Sequence, residues 1–175
     1  TSATTGIRAS TDGDVTMNVN ADVNASNTGI YVTDALNGAA GIVNVTVAGG
    51  VTVTAAGNFY NTYLAGSDVT FDMNGTLIGG GGAEIQSGGN ANVDIDGNVT
   101  TSLYNGVGIY ALGNVDFDQS VGAITSTAPG QYGVDINAGG SVTFDTAAGT
   151  SISGDAAAVR IVAGGNISGT AGGAY

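Results

Sequence analysis

The chain has 175 residues, with 14 acidic side chains against two arginines, no histidine and no cysteine, and a formal net charge of −12. So acidic a chain is repelled by nucleic acid and by anionic membranes, since binding to either depends on Lys and Arg. Its 42% hydrophobic content argues against disorder, and no apolar run reaches the ~20 residues of a membrane-spanning helix.

A short phrase recurs along the chain and opens each unit of an internal repeat. The stretch "GNVDFDQS" (113–120) resembles "GSDVTFDM", "NANVDIDG" and "GSVTFDTA", and the aligned copies begin at residues 15, 43, 69, 93, 115, 142 and 167. Alternation within each copy predicts a first strand with one apolar face. Its inward residues are predicted to be Val15/Met17, Val43/Val45, Val69/Phe71, Val93/Ile95, Val115/Phe117 and Val142/Phe144.

Two further apolar stretches follow the first strand in each repeat. The second stretch carries Val23, Val51/Val53, Leu77, Val99, Ile124 and Ile152. The third carries Ile30/Val32, Leu64, Ile85, Ile109/Ala111, Val134/Ile136 and Val159/Ile161. Gly, Asn, Ser and Asp lie between the stretches and suit tight turns.

Three period-two strands in each repeat of 22–28 residues predict an all-β fold, a right-handed parallel β-helix (β-solenoid). We expect three short strands per rung, where a rung is one turn of the coil, and about six rungs in a single domain over 1–175, with an incomplete rung at each end. Asn90, Asn114 and Asn166, with Ser67 and Ser141 nearby, are expected to form a polar turn column. An immunoglobulin-type sandwich also has short strands and turns, but it would not explain the repeated phrase.

The stretch "GNVDFDQSVGAITSTAPGQYGVDINAGGSVTFDTAAGTSISG" (113–154) resembles the passenger regions of bacterial autotransporters and filamentous-haemagglutinin-type adhesins. The resemblance lies in the Gly/Asn turns, the V-x-F-D strands and the G-I-Y-x strands. It implies an exported β-helix, extracellular or at the bacterial cell surface, that serves as a stalk, adhesin or filament.

Four aspartates are predicted to form an outward column on the first strand: Asp72, Asp96, Asp118 and Asp145, flanked by Asp94 and Asp116. Stacked carboxylates raise one another's pKa or recruit a cation, and calcium prefers such oxygen ligands. The chain lacks the other ligands of a calcium loop and the nonapeptide pattern of calcium-binding β-rolls. We therefore expect a solvated acidic face that binds calcium weakly, and no firm metal site or cofactor.

Catalysis is not expected from this sequence. Clustered carboxylates can hydrolyse glycosides, but no histidine is available for proton transfer, and the only arginines, Arg8 and Arg160, stand at opposite ends of the repeat array. The second strand presents an outward row of Thr and Ser resembling the face of solenoid ice-binding proteins, but Ile78, Asn98 and Ala123 interrupt it.

Tyr31, Tyr63 and Tyr110 are predicted to point outward from the third strand, where exposed rings could stack on a sugar or on another chain. The leading functional hypothesis is a structural extracellular segment: a stalk, adhesin shaft or filament subunit. The alternative is a glycan- or calcium-binding adhesin module. A regular ladder of ligand-binding side chains confined to one face would favour the binding module. Faces without such a ladder, together with ends that can pack on each other, would favour the structural role.

The two ends suggest self-association. The segment "GIRAS" (6–10) resembles "GIYAL" (108–112), and "GGNISGTAGGAY" restarts a first strand at Ile167. Open solenoid ends expose unpaired backbone and apolar columns. Head-to-tail stacking into a filament is therefore expected, unless flanking repeats of a longer passenger cover the ends.

Overall fold

The computed structural model describes residues 3–33, 41–57 and 60–175, and in these ranges the protein is all-β, built of parallel strands stacked as a solenoid. The first strands of successive rungs form a seven-stranded sheet. Its members in chain order are β2 (Val15–Val19), β4 (Val43–Val47), β7 (Val69–Met73), β10 (Ala91–Ile95), β13 (Val115–Gln119), β16 (Val142–Thr146) and β19 (Ile167–Ser168).

The second and third strands of the rungs belong to a 12-stranded sheet, because β3 (Val23–Thr33) continues from one into the other. The other second strands are β5 (Thr52–Ala55), β8 (Thr76–Gly79), β11 (Asn98–Thr101), β14 (Ala123–Ser126) and β17 (Ser151–Ser153). The other third strands are β1 (Ala3–Ser10), β6 (Thr62–Gly66), β9 (Ala83–Ser87), β12 (Val107–Ala111), β15 (Tyr132–Ala138) and β18 (Ala157–Ala163).

The coil thus has about six rungs of three strands, with β1 and β19 as parts of further rungs, which confirms the predicted β-solenoid. The right-handed sense of the coil stays a prediction. Among the described residues there is no helix long and apolar enough to cross a membrane.

Parallel pairing places equivalent side chains directly above one another, so the core consists of apolar columns. One column of the second strands contains Val23, Val53, Leu77, Val99, Ile124 and Ile152, as predicted. One column of the third strands contains Val32, Leu64, Ile85, Ile109, Ile136 and Ile161. Valine and isoleucine suit these strands because their branched side chains fit a packed sheet surface.

The register of β10 differs from the sequence alignment by two residues. Ala91 pairs with Val69 and Val115, so Val93 stacks with Phe71 and Phe117 and not with Val115. The repeat therefore begins at residue 91 in this rung. A shift of two residues keeps every side chain on its own face of a strand. The residues predicted to point inward from β10 are therefore correct, but the residues predicted to stack on them in the adjacent rungs are not.

The turn before each first strand carries a ladder of side-chain acceptors. Asp68 Oδ1 accepts from the Asn90 amide, Asn90 Oδ1 from Asn114, Asn114 Oδ1 from Ser141, and Ser141 Oγ from Asn166, at 2.6–3.1 Å. The predicted polar turn column is confirmed, with Asp68 in the place expected for Ser67. Each side chain satisfies a backbone donor of the following rung, where the turn has interrupted the sheet ladder.

Replacing Phe117 with Ala is expected to lower the free energy of unfolding by about 3–5 kcal/mol, through lost transfer energy and the cavity left behind. Phe117 is fully buried, and its ring stacks on that of Phe144 at a centroid distance of 4.9 Å. Urea denaturation measures the change. Leu112→Ala is the control, because Leu112 is 77% exposed and its loss should change stability little; equal effects of the two substitutions would contradict the assigned core.

Asn114→Ala is expected to lower the free energy of unfolding by about 0.5–1.5 kcal/mol, because the Ser141 amide loses its side-chain acceptor at an exposed turn. Asn114→Asp keeps an acceptor oxygen, as Asp68 does naturally, and should retain most of the stability. Chemical denaturation of both variants distinguishes the turn ladder from a nonspecific effect of substitution. Equal losses for Ala and Asp would show that the side-chain acceptor contributes nothing.

Candidate functional site

The acidic column on the outward face of the first strands contains Asp94 in place of the predicted Asp96. Asp72, Asp94, Asp118 and Asp145 stack on successive rungs. Asp96 is wrongly placed in the predicted column: it follows β10 in the turn, where its Oδ1 accepts a 2.9 Å hydrogen bond from the Ser120 amide. The correction follows from the two-residue register shift of β10.

Stacking makes the central carboxylates of this column harder to ionise. Burial raises the pKa of Asp94 to about 6, and the charges of Asp96, Asp118 and Asp72 add to the effect. Burial, followed by neighbouring aspartates, also raises the pKa of Asp118. The described part of the chain contains no group of three or more His, Cys, Asp or Glu side chains arranged to hold a metal ion. Weak calcium binding by this column stays a prediction.

The third strands present a column of mixed chemistry. Arg8, Tyr31, Tyr63, Glu84, Gly108, Asp135 and Arg160 occupy it in rung order. Tyr110 does not share the column of Tyr31 and Tyr63. It lies two residues further along its strand, between Gln86 and Asn137 of the neighbouring rungs, on the same side of the sheet.

Further tyrosines come from the turns that lead into the third strands. Tyr60 and Tyr104 precede β6 and β12, and Tyr132 begins β15. Six of the seven tyrosines, both arginines and the single glutamate therefore gather on one side of the solenoid. We call this surface the tyrosine face; it comprises Arg8, Tyr31, Tyr60, Tyr63, Glu84, Tyr104, Tyr110, Tyr132, Asp135 and Arg160.

Four of the six rings of the tyrosine face form a continuous row of contacts. Arg8 lies over the ring of Tyr31 at 5.5 Å, and Tyr31 stacks on Tyr63 with centroids 5.2 Å apart. Tyr63 approaches Tyr60 at 6.4 Å, and Tyr60 approaches Tyr104 at 5.0 Å. All six rings are partly exposed, so the row offers half-buried aromatic surface whose positions are fixed by mutual packing.

A run of glycines lets Tyr60 and Tyr104 meet across an intervening rung. These tyrosines belong to the second and fourth rungs, and the corresponding turn of the third rung is Gly79–Gly82, which has no side chain to separate the rings. A methyl group at Gly82 would collide with the backbone carbonyl of Gly106. The glycine run is therefore required both for close rung stacking and for the aromatic contact.

Two buried carboxylates lie among these rings in different surroundings. Glu84 and Asp135 are each only 5% exposed. Asp135 is paired with Arg160 at 2.9 Å and accepts longer hydrogen bonds, both 3.4 Å, from Tyr110 Oη and Asn105 Nδ2. Glu84 Oε1 accepts from Gln86 Nε2 at 3.3 Å, and Gln86 Oε1 accepts from Tyr63 Oη at 3.1 Å.

Gly108 separates the two carboxylates in the column and leaves room for Glu84. A methyl group at Gly108 would lie 2.6 Å from Glu84 Oε2 and 3.3 Å from Tyr110 Cε2. The carboxylate of Glu84 therefore leans over the backbone of Gly108, next to the ring of Tyr110. A side chain at this position would push both groups away.

Burial shifts the titration of Glu84 and of two tyrosines beside it. It raises the pKa of Glu84 to about 7, with the charge of Asp135 adding to the rise and the Gln86 hydrogen bond opposing it. Burial and then the charge of Glu84 raise the pKa of Tyr60 to about 12, and the same two causes raise the pKa of Tyr110. Tyr60 and Tyr110 therefore stay neutral at physiological pH, whereas Glu84 titrates within the physiological range.

Sequence reasoning identified Tyr31, Tyr63 and Tyr110 but missed the rest of the tyrosine face. Tyr60 and Tyr104 lie in turns, where no strand alternation assigns a direction. Glu84 and Asp135 had a usable signal, because aligning "AEIQS" with "TYLAG" places Glu84 beside Tyr63. The interrupted Thr row of the second strands is found where expected, with Ile78 44% exposed between Thr54 and Thr100.

The free energy of unfolding is expected to fall as the pH rises from 5 to 8. In this range the unfolded chain has already ionised Glu84, whose ordinary pKa is 4.5, while the folded state holds it protonated up to about pH 7, so the unfolded state binds fewer protons. Urea denaturation of the wild type and Glu84→Gln at both pH values measures the effect.

Between pH 5 and pH 8 the free energy of unfolding of the variant should fall by about 2–3 kcal/mol less than that of the wild type, since one pKa unit corresponds to about 1.36 kcal/mol. A smaller fall in the same direction should remain, because the pKa values of Asp94 and Asp118 are raised as well. Identical pH profiles for the two proteins would show that Glu84 is not buried as described.

No protein-family model, no curated protein and no solved structure matches this chain. The fold itself is that of a structural repeat protein, consistent with the β-helix passenger type.

Proposed function

We propose that this protein is a non-catalytic glycan-binding module of the adhesin type, which binds a sugar chain along the tyrosine face. The observation that carries the proposal is the concentration of six tyrosines on one side of the solenoid, four of which (Tyr31, Tyr63, Tyr60 and Tyr104) form a row of ring contacts. Flat, half-exposed rings bury the apolar faces of sugar rings, and their hydroxyls remain available for hydrogen bonds.

The distribution of the side chains favours binding over a purely structural role. A structural shaft needs only its inner columns and a soluble exterior, so it gives no reason for aromatic residues to gather on one face. A glycan extended along the solenoid axis would meet Tyr31 of the first rung, then Tyr63 and Tyr60 side by side on the second rung, and then Tyr104 of the fourth. We propose an extracellular or bacterial cell-surface location, which the acidic composition and the resemblance to passenger regions support.

Tyr63→Ala is expected to weaken glycan binding at least tenfold, because it removes the ring that contacts both Tyr31 and Tyr60. A glycan array selects the ligand, and calorimetry measures its affinity for each variant. Tyr63→Phe keeps the ring and should bind within a few-fold of the wild type. Tyr175→Ala is the matched control, since Tyr175 contacts Thr146 at the end of β16, away from the tyrosine face.

Absence of binding to every glycan on the array, or equal losses for Tyr63→Ala and Tyr175→Ala, would overturn the proposal. Chromatography of the bound sugar tests the non-catalytic part of the proposal: shortened oligosaccharides would contradict it.

A second candidate function is a shaft whose last rung packs against a further rung, either a flanking repeat or another copy of this chain. The supporting observation is an apolar cleft at the C-terminal end of the described solenoid, lined by Phe144, Ile161 and Ile167, with Ile167 57% exposed. Electron microscopy of the purified chain tests self-stacking. Fibres lost in Ile167→Asp would support it, and dispersed monomers at high concentration would contradict it.

A further inference from the structure

Glu84 is a buried carboxylate with no cationic partner among the residues that the structure describes. Its neighbour in the column, Asp135, is equally buried and has Arg160 at 2.9 Å. Buried carboxylates are normally paired, because removing a charge from water is costly. The two residues can therefore be compared within one column: an arginine neutralises Asp135, whereas Glu84 has only a proton, which it loses near pH 7.

The sequence contains no other side chain that could neutralise Glu84. Its only cationic side chains are two arginines. Arg160 is committed to Asp135, and Arg8 lies over Tyr31, three rungs from Glu84, a distance of about 14 Å at the spacing of paired strands. A cation that pairs with Glu84 must therefore come from outside the chain.

The surroundings of Glu84 are suited to an ammonium group. Glu84 Oε2 and Tyr110 Cε2 both border the space left by Gly108, Gln86 links Glu84 to Tyr63 Oη, and Tyr60 lies beside Tyr63. Aromatic rings attract ammonium ions, most strongly where water is partly excluded. An ammonium group resting on these partly exposed rings would be attracted both by the rings and by the nearby carboxylate, without entering the core.

We infer that the glycan taken by the tyrosine face is cationic, a polymer of amino sugars with free amines, whose ammonium groups are drawn to the Tyr60, Tyr63 and Tyr110 rings over Glu84. This inference rests on the proposed glycan-binding function and names its ligand class. Neutral N-acetylated sugars would stack on the same rings without the charge interaction, and acidic sugars would be repelled by Glu84.

The test compares glucosamine oligomers with N-acetylglucosamine oligomers of equal length at neutral pH, by calorimetry at moderate salt. The wild type is expected to bind the glucosamine oligomer at least about tenfold more tightly, which corresponds to about 1.4 kcal/mol. Glu84→Gln, which removes the charge and keeps the shape, should bring the two affinities within about twofold of each other while binding to the N-acetylated oligomer persists.

Asp118→Asn is the matched control for nonspecific attraction to an acidic protein. It removes one charge from the acidic column on the first strands, outside the tyrosine face, and should leave the preference for glucosamine unchanged. Gly108→Ala is a second variant, because the added methyl group displaces Glu84 Oε2 without altering the net charge. It should reduce the preference as Glu84→Gln does.

The outcomes separate this inference from the function on which it rests. Equal binding of both oligomers by the wild type, or a preference that survives Glu84→Gln, would overturn the inference and leave glycan binding standing. An equal reduction of the preference for glucosamine in Glu84→Gln and in Asp118→Asn would also overturn the inference, because it would show that the oligomer is attracted by the overall negative charge. Failure to bind either oligomer or any glycan on the array would overturn the proposed function itself.

Discussion

The hydrogen-bond spacing between parallel strands, about 4.8 Å, governs this structure. Each rung must place its side chains directly above those of the rung before. Every position therefore belongs to a column, and the stability of a side chain depends on the residues above and below it. Columns of apolar side chains form the core directly. Polar turn residues form an acceptor ladder, in which each side chain completes the hydrogen bonding of the following backbone. Identical charges stack as well, and they add to the rise that burial causes in the pKa of Asp94.

The same constraint builds the tyrosine face, but there the column is heterogeneous. A uniform stack of glutamates or arginines would repel itself at this spacing, whereas the column from Arg8 to Arg160 alternates cation, ring, carboxylate and glycine. Glycines shape this column by leaving space for neighbouring side chains. Gly108 makes room for Glu84, and the run Gly79–Gly82 lets tyrosines of the second and fourth rungs touch. The site thus depends on missing side chains as much as on those present.

The fold could be predicted from the sequence because period-two alternation and the repeated phrase assign both the faces of each strand and the order of the rungs. Phe117 is buried, and the Asn114 turn position is in the acceptor ladder. Neighbour relations were less predictable. Turn lengths vary, and shifting β10 by two residues preserves its alternation, so Asp96 was aligned where Asp94 belongs. Contacts that cross a rung, such as that of Tyr60 with Tyr104, have no signature in strand alternation and arise only when the chain is coiled.

The placement of the two arginines gives the molecule an electrical polarity across its axis. On the tyrosine face Arg8 and Arg160 balance Glu84 and Asp135, so that side carries little net charge, while the side formed by the first strands carries the stacked aspartates. The resulting dipole lies perpendicular to the solenoid. At a negatively charged surface within about one Debye length, ~8 Å at physiological ionic strength, repulsion would act mainly on the aspartate side and would turn the tyrosine face toward that surface.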